Sequence, residues 1–322
     1  MVFMRIITLE EHFVTPEFLK ATAIFLPDNP YLKELQSKLV DLGEPRIAAM
    51  DAAGIDLQVL SLAAMGFDKL DSSTATAVVH EANDQLAEAV RHYPNRYAGF
   101  ASLALRDPQT AAKEFERCVR SLGFKGAMVN GTTDGAFLDD PKFTPLFEAA
   151  QSLDIPIYLH PAPPPATVQE VYYSNLPEAC GELLARAGWG WHVETGLHCL
   201  RLILSGLFDR FPRLKIIIGH MGEELPYSLA RATAVLGRVA KHLQRSIPEY
   251  FHEHFYITTS GYFTTPPFLC ALQVVGADRL MFSIDYPFST TLQGREFLNR
   301  LPVSPDDLEK IAHRNAERLL QL

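Results

Sequence analysis

Lys215-Ile216-Ile217-Ile218-Gly219-His220-Met221-Gly222-Glu223 is the stretch on which the fold turns. Three consecutive isoleucines leave no polar face, so the strand they form is covered on both sides, as strands of parallel sheets are. The run ends in a histidine, and a helical stretch follows. The same order of residue types recurs in Ile157-Tyr158-Leu159-His160-Pro161 and in Phe282-Ser283-Ile284-Asp285-Tyr286-Pro287-Phe288. Eight such strands are predicted, at Arg5–Leu9, Asp56–Ser61, Tyr97–Leu103, Gly126–Asn130, Pro156–His160, Lys215–His220, Phe255–Ser260 and Leu280–Asp285. Helical patterns lie between or after them, at Pro108–Leu122, Phe143–Leu153, Glu223–Gln244, Thr265–Val275 and Pro305–Leu322.

Alternation of this kind is the pattern of a distorted (β/α)8 TIM barrel. No break in composition marks a linker, so one barrel domain spanning residues 1–322 is expected. Pro16–Pro45 and Pro161–Gly190 are longer than ordinary connections and are predicted as loops or insertions over the C-terminal face. An open doubly wound sheet is the rival fold, and the lack of a glycine-rich phosphate loop after the first strand tells against it.

Composition narrows the partners. A net charge of -9 over 322 residues provides no basic stripe for nucleic acid. No apolar run is long enough to span a bilayer, and no signal peptide is apparent. Cys118, Cys180, Cys199 and Cys270 are far apart and form no CxxC, which fits free thiols in a reducing cytoplasm.

The chemistry gathers at strand ends, which in a barrel converge on its mouth. Glu10 and His12 are two apart in Leu9-Glu10-Glu11-His12-Phe13, so both leave one face and can share a cation. His160 closes an apolar strand before Pro161, and Asp285 closes the last strand; neither type is buried without a partner. His220 and Glu223 are spaced so that the carboxylate can fix the histidine tautomer, although Glu223 would also suit a helix N-terminus. His252-Glu253-His254 is a formal His-x-His pair, but it precedes a strand and falls at the opposite end of the barrel. His198 is predicted to lie in a helix, and His80, His92, His192 and His313 have no partner at ligand spacing. All of these are left out of the site.

With these motifs in place, the chain resembles the decarboxylase branch of the amidohydrolase superfamily, in particular the hydroxybenzoate decarboxylases that act on gamma-resorcylate (2,6-dihydroxybenzoate). The match extends to Asp51-Ala52-Ala53-Gly54-Ile55, Leu122-Gly123-Phe124-Lys125-Gly126-Ala127, Thr258-Thr259-Ser260-Gly261 and Asn315-Ala316-Glu317-Arg318-Leu319-Leu320. Glu-x-His at the first strand fits this branch, where hydrolases of the superfamily carry His-x-His. Gly131–Asp140 and Pro163–Gly190 depart from the pattern.

The resemblance implies one divalent ion, Zn2+ or Mn2+, on Glu10, His12, His160 and Asp285. It implies catalytic roles for Asp285, His220 and Glu223, and substrate contacts at Phe25, Asn130, Arg231 and Phe288. The implied reaction is reversible, non-oxidative decarboxylation of an ortho-hydroxy aromatic carboxylic acid, in a homo-oligomer (dimer or tetramer). Asp285 or His220 delivers the proton. A metal-dependent lactone or amide hydrolase on the same site is the alternative, and a catalytically silent binding barrel is a third reading.

Overall fold

The computed structural model describes residues 4–26 and 30–322. Nine strand segments, all paired in parallel, form the centre: β1 (Ile7–Phe13), β2 (Leu57–Leu62), β3 (Tyr97–Gly99), β4 (Ala101–Ser102), β5 (Ala127–Asn130), β6 (Ile157–His160), β7 (Ile216–Ile218), β8 (Phe255–Thr258) and β9 (Leu280–Met281). β3 and β4 are halves of one predicted strand. Phe100 separates them, and its amide still reaches the Leu60 carbonyl at 2.9 Å, while Ala101 bonds forward to Gly126 at 2.8 Å. The chain therefore passes from one three-stranded ladder to a six-stranded one without leaving the wall. Together the segments make the eight staves of a TIM barrel.

Side chains close the remaining seam. Leu9 and Glu10 amides donate to Ser283 Oγ at 3.3 and 2.7 Å, and the His12 amide donates to the Tyr286 carbonyl at 2.7 Å. The fully buried Glu11 carboxylate accepts from the Ile284 and Tyr286 amides at 2.9 and 3.1 Å. These bonds replace a regular ladder between β1 and the segment after β9, where strand pairing would need extended backbone and Asp285 instead has φ 70°.

The barrel interior is filled by Ile7, Leu9, Leu57, Val59, Phe100, Met128, Tyr158, Ile217, Tyr256 and Met281, and Ala316 and Leu320 of the C-terminal segment plug its base. A larger apolar cluster lies between the barrel wall and the helices. Helices Pro108–Leu122 and Thr265–Val275 have their predicted bounds, each with proline at its start, where the missing N–H is no loss.

Four expectations are corrected. The helix expected over Glu223–Gln244 runs only from Leu225 to Leu236, because the five residues from His220 to Glu224 all have positive φ. The strands expected to reach His220 and Asp285 stop at Ile218 and Met281: the left-handed turn begins at His220, and beyond Met281 the Phe282 amide turns to the Ile311 carbonyl while Ser283 bonds to the Thr259 hydroxyl. The first strand extends past Leu9 to Phe13. The two long segments are not simple loops: they contain helices Pro16–Thr22, Pro30–Val40, Ala166–Tyr172 and Cys180–Ala185. All four cysteines are free, and among the described residues no helix is long and apolar enough to cross a membrane.

Candidate metal centre

A bulge in β1 aims the site. Thr8 pairs with Gln58 and Glu11 with Leu60, so two residues on β1 face one on β2. An extra residue reverses side-chain parity. Ile7 and Leu9 fill the interior below the bulge, and Glu10 meets the interior Tyr158 above it. Gly219 makes room, because a Cβ there would lie 2.6 Å from Glu10 Oε2.

Glu10, His12 and His160 bring one ligand atom each to within 4.8 Å of one another. His160 Nε2 is 3.1 Å and His220 Nε2 3.7 Å from Glu10 Oε1, and His12 Nε2 is 3.2 Å from Asp285 Oδ1. The opposite ring nitrogens are held, His12 Nδ1 by Ser61 Oγ at 3.3 Å and His160 Nδ1 by the Pro161 carbonyl at 2.8 Å. Nε2 is thereby the free nitrogen on each ring. Glu10 Oε1 and His12 Nε2 are buried yet have no hydrogen-bond partner. Buried polar atoms are rarely left so, and two imidazoles with two carboxylates suit zinc or manganese. The donor set fits one divalent cation.

The electrostatics agree. Burial alone would raise the Glu10 carboxyl, but the His220, His160 and His12 rings overcome it and hold Glu10 well below the usual range. Burial lowers His12 to about 4, leaving it neutral and able to ligate. Burial, with Glu10 beside it, pushes Asp285 above the usual carboxylate range. Against the opposing effect of burial, Glu223 and then Glu10 raise His220 to about 10.

Glu223 is fully buried and does not serve a helix N-terminus. Its Oε1 faces His220 Nδ1 at 2.8 Å and its Oε2 faces His192 Nδ1 at 2.7 Å. His192, set aside on sequence, thus joins the cluster from helix Gly190–Leu204. Its partner is 31 residues away in sequence, so local spacing had no signal, apart from Gly196 one turn on. Tyr158 was also missed: its hydroxyl donates to Glu10 Oε2 and lies 2.7 Å from Thr258 Oγ1.

The remaining predicted residues divide. Phe288 stands edge-on to the His12 ring with centroids 5.5 Å apart. Asn130 ends β5 opposite His160, and its Oδ1 is buried without a partner. Phe25 is half-exposed in the insertion, beside Gly66. Arg231 is exposed on helix Leu225–Leu236 and reaches none of these groups within the chain. Four of the histidines set aside have structural partners: His254 donates to the Leu214 carbonyl at 2.8 Å, His198 accepts from the Leu138 amide at 2.8 Å, and His80 and His313 pair with Glu114 and Glu317.

A parallel barrel whose strand ends gather a Glu-x-His pair, a second histidine and an aspartate defines a metal-dependent barrel enzyme of the amidohydrolase type. The chain belongs to the amidohydrolase family, whose model matches residues 37–322. Among relatives, the gamma-resorcylate decarboxylase of a Polaromonas species is 41% identical over 98% of both chains. The crystal structure of a 2,6-dihydroxybenzoate decarboxylase in complex with 2,6-dihydroxybenzoate superposes with TM-score 0.91 at 40% identity, covering 99% of this chain and 100% of that one. A dihydroxybenzoic acid decarboxylase from Polaromonas, solved with bound manganese and the inhibitor 2-nitroresorcinol, gives TM-score 0.90 at 40% identity, covering 99% and 97%.

Proposed function

We propose that this protein is a metal-dependent, non-oxidative decarboxylase of an ortho-hydroxy aromatic acid resembling 2,6-dihydroxybenzoate. The observation that carries the proposal is the pair of unpartnered buried atoms, Glu10 Oε1 and His12 Nε2, within the Glu10, His12 and His160 group, with Asp285 Oδ1 3.2 Å from His12 Nε2. Full-length relatives at about 40% identity that act on this substrate support it.

Glu10, His12, His160 and Asp285 would hold Mn2+ or Zn2+. Such an ion supplies positive charge for a carboxylate and a neighbouring phenolic oxygen. Loss of carbon dioxide from an intact aromatic ring would leave an aryl anion, so the ring carbon bearing the carboxylate is protonated first. Asp285, or His220 with its Nε2 open towards the site, holds that proton. Once it is transferred, the carbon–carbon bond breaks, its electrons restore the ring and carbon dioxide leaves. Glu223 orients His220. Phe288 packs on the substrate ring, with Phe25 on the insertion side, and Asn130 offers its free Oδ1 to a ring hydroxyl. Arg231, remote within one chain, reads the carboxylate only if the mouth is completed by another subunit.

Assembly as a homo-oligomer, dimer or tetramer, is part of the same reading. Val171, Tyr172, Leu183, Leu184, Trp189 and Leu197 are all exposed along one stretch of chain, and monomers rarely leave so much apolar surface in one region. Light scattering after gel filtration tests this: a dimer or larger species is expected, and a monomer at micromolar concentration contradicts it. A single domain over residues 1–322 fits the C-terminal segment's return to the barrel, where the Ile311 carbonyl accepts from the Phe282 amide at 2.9 Å. Four free thiols fit a cytoplasmic setting.

The test is turnover of 2-hydroxybenzoate, 4-hydroxybenzoate, 2,3-dihydroxybenzoate and 2,6-dihydroxybenzoate side by side. Ortho-hydroxy acids release carbon dioxide, the 4-hydroxy acid does not, and concentrated bicarbonate with resorcinol runs the reaction backwards. Equal turnover of the 2- and 4-hydroxy acids removes the chelation argument. Hydrolysis of a lactone with no carbon dioxide from any acid assigns the site to a hydrolase.

A further inference from the structure

Helix Gly190–Leu204 is pressed against the left-handed turn that carries His220 and Glu223. A Cβ at Gly196 would lie 2.5 Å from the Glu223 carbonyl oxygen, so only glycine allows this approach. One turn earlier on the same face, His192 spans two groups. Its Nε2 is 3.1 Å from the Ala187 carbonyl, which can only accept, and its Nδ1 is 2.7 Å from Glu223 Oε2. His192 is thereby fixed at both ends, and its ring is buried against His220 and Tyr262, with centroids 4.8 and 5.2 Å away. Glu223 has no other side-chain partner than its two histidines among the described residues. With Oε1 on His220 Nδ1 and Oε2 on His192 Nδ1, the rotation of its carboxylate depends on both rings.

Five consecutive residues with positive φ, His220 to Glu224, do not hold themselves. Such backbone is costly for residues other than glycine and persists where surrounding contacts impose it. We propose that His192 is a positioning residue for the decarboxylation. It holds the second carboxylate oxygen of Glu223, so that His220 keeps Nδ1 on the first oxygen and Nε2 towards Glu10. The inference rests on the reading above that His220 serves the reaction.

His192→Leu removes the clamp and keeps a bulky apolar side chain. His192→Asn restores one N–H near the position of Nδ1. With 2,6-dihydroxybenzoate and manganese, His192→Leu should lower kcat about 10–100-fold with KM little changed, as loss of an orienting hydrogen bond does. His192→Asn should recover most of that loss, and His192→Leu should add nothing in a Glu223→Gln background. A readout without turnover uses metal-free protein labelled with 15N in histidine. Two imidazole N–H protons held by Glu223 should appear downfield of the amides in the native protein. The His220 signal should vanish into solvent exchange in His192→Leu and remain in His192→Asn. Full kcat in His192→Leu, additive losses with Glu223→Gln, or a His220 signal untouched by His192→Leu each overturns the proposal. If His192→Leu does not fold, His192→Phe, which keeps a buried ring and removes both nitrogen donors, goes through the same measurements with the same expected and overturning results. Native protein that turns over no hydroxybenzoate overturns the functional reading instead, and the histidine spectra still test the clamp.

Discussion

The side chains of the site come from β1, β6, the turn after β7 and the segment after β9, and this separates their possible failures. Glu10→Gln leaves a neutral amide among His220, His160 and His12, the rings that hold the native carboxyl ionised. Metal analysis of the purified variant should show less than one-tenth of native occupancy, about the loss expected for a first ligand, given that even outer partners are worth about 10–100-fold; full occupancy would remove Glu10 from the ligand set. His220→Ala should reduce turnover more than Glu223→Gln, and the double variant should be no worse than His220→Ala, because the two residues act as one unit. Multiplicative losses would show that Glu223 acts independently. Asp285→Asn retains an oxygen ligand but has no proton to give, and should lose about 10²–10⁴-fold in kcat. Near-native release of carbon dioxide by a metal-loaded Asp285→Asn protein would assign the proton to His220 alone. Residue types and strand-end positions picked out Glu10, His12, His160, His220, Glu223 and Asp285, and the fold brings these six together. They could not find the roles of His192 and Tyr158, whose partners Glu223 and Glu10 come from other elements.

At the scale of elements, the seam beside β1 governs how the site is held. Glu11 grips the amides on either side of Asp285, so one carboxylate fixes both the barrel's closure and the last ligand. Burial pushes this carboxyl up to about 8, against the Ile284 and Tyr286 amides and the Arg46 guanidinium that favour its charge. The folded state therefore keeps a proton that the unfolded chain loses above about 4.5. Its contribution to stability falls as pH rises from about 4.5 to about 8 and is level beyond. Glu11→Gln should flatten this fall. At pH 5, where Glu11 is protonated in the folded state, the amide should cost about 1–3 kcal/mol, since one backbone N–H loses its acceptor. Urea unfolding across this pH range measures both, and an unchanged pH slope would contradict the role given to Glu11. The strands themselves were legible because each is a short apolar run, and helices Pro108–Leu122 and Thr265–Val275 because proline marks their starts. The β1 bulge and the left-handed run after Gly219 were not, because both depend on what packs opposite: the register on β2, and helix Gly190–Leu204 through Gly196.

For the whole molecule, the fold sets a polar site on an apolar plug. Leu9, Tyr158 and Ile217 fill the interior immediately below Glu10, so the metal group sits on a packed floor and not over a channel. Chemistry is confined to the mouth, where the insertions Pro16–Pro45 and Pro161–Gly190 arise. Gly131–Asp140 and Pro163–Gly190 are the segments whose sequence departs from the hydroxybenzoate decarboxylase pattern. The central claim is that the ligand set at the mouth enables carbon dioxide loss from an ortho-hydroxy acid. Its most direct test is carbon dioxide release from 2,6-dihydroxybenzoate by one protein preparation in three states: as purified, after chelation and dialysis, and after manganese is returned. The account predicts turnover, then its loss with the fold intact by circular dichroism, then recovery at one manganese per chain. Undiminished release from protein shown to be free of metal would contradict it.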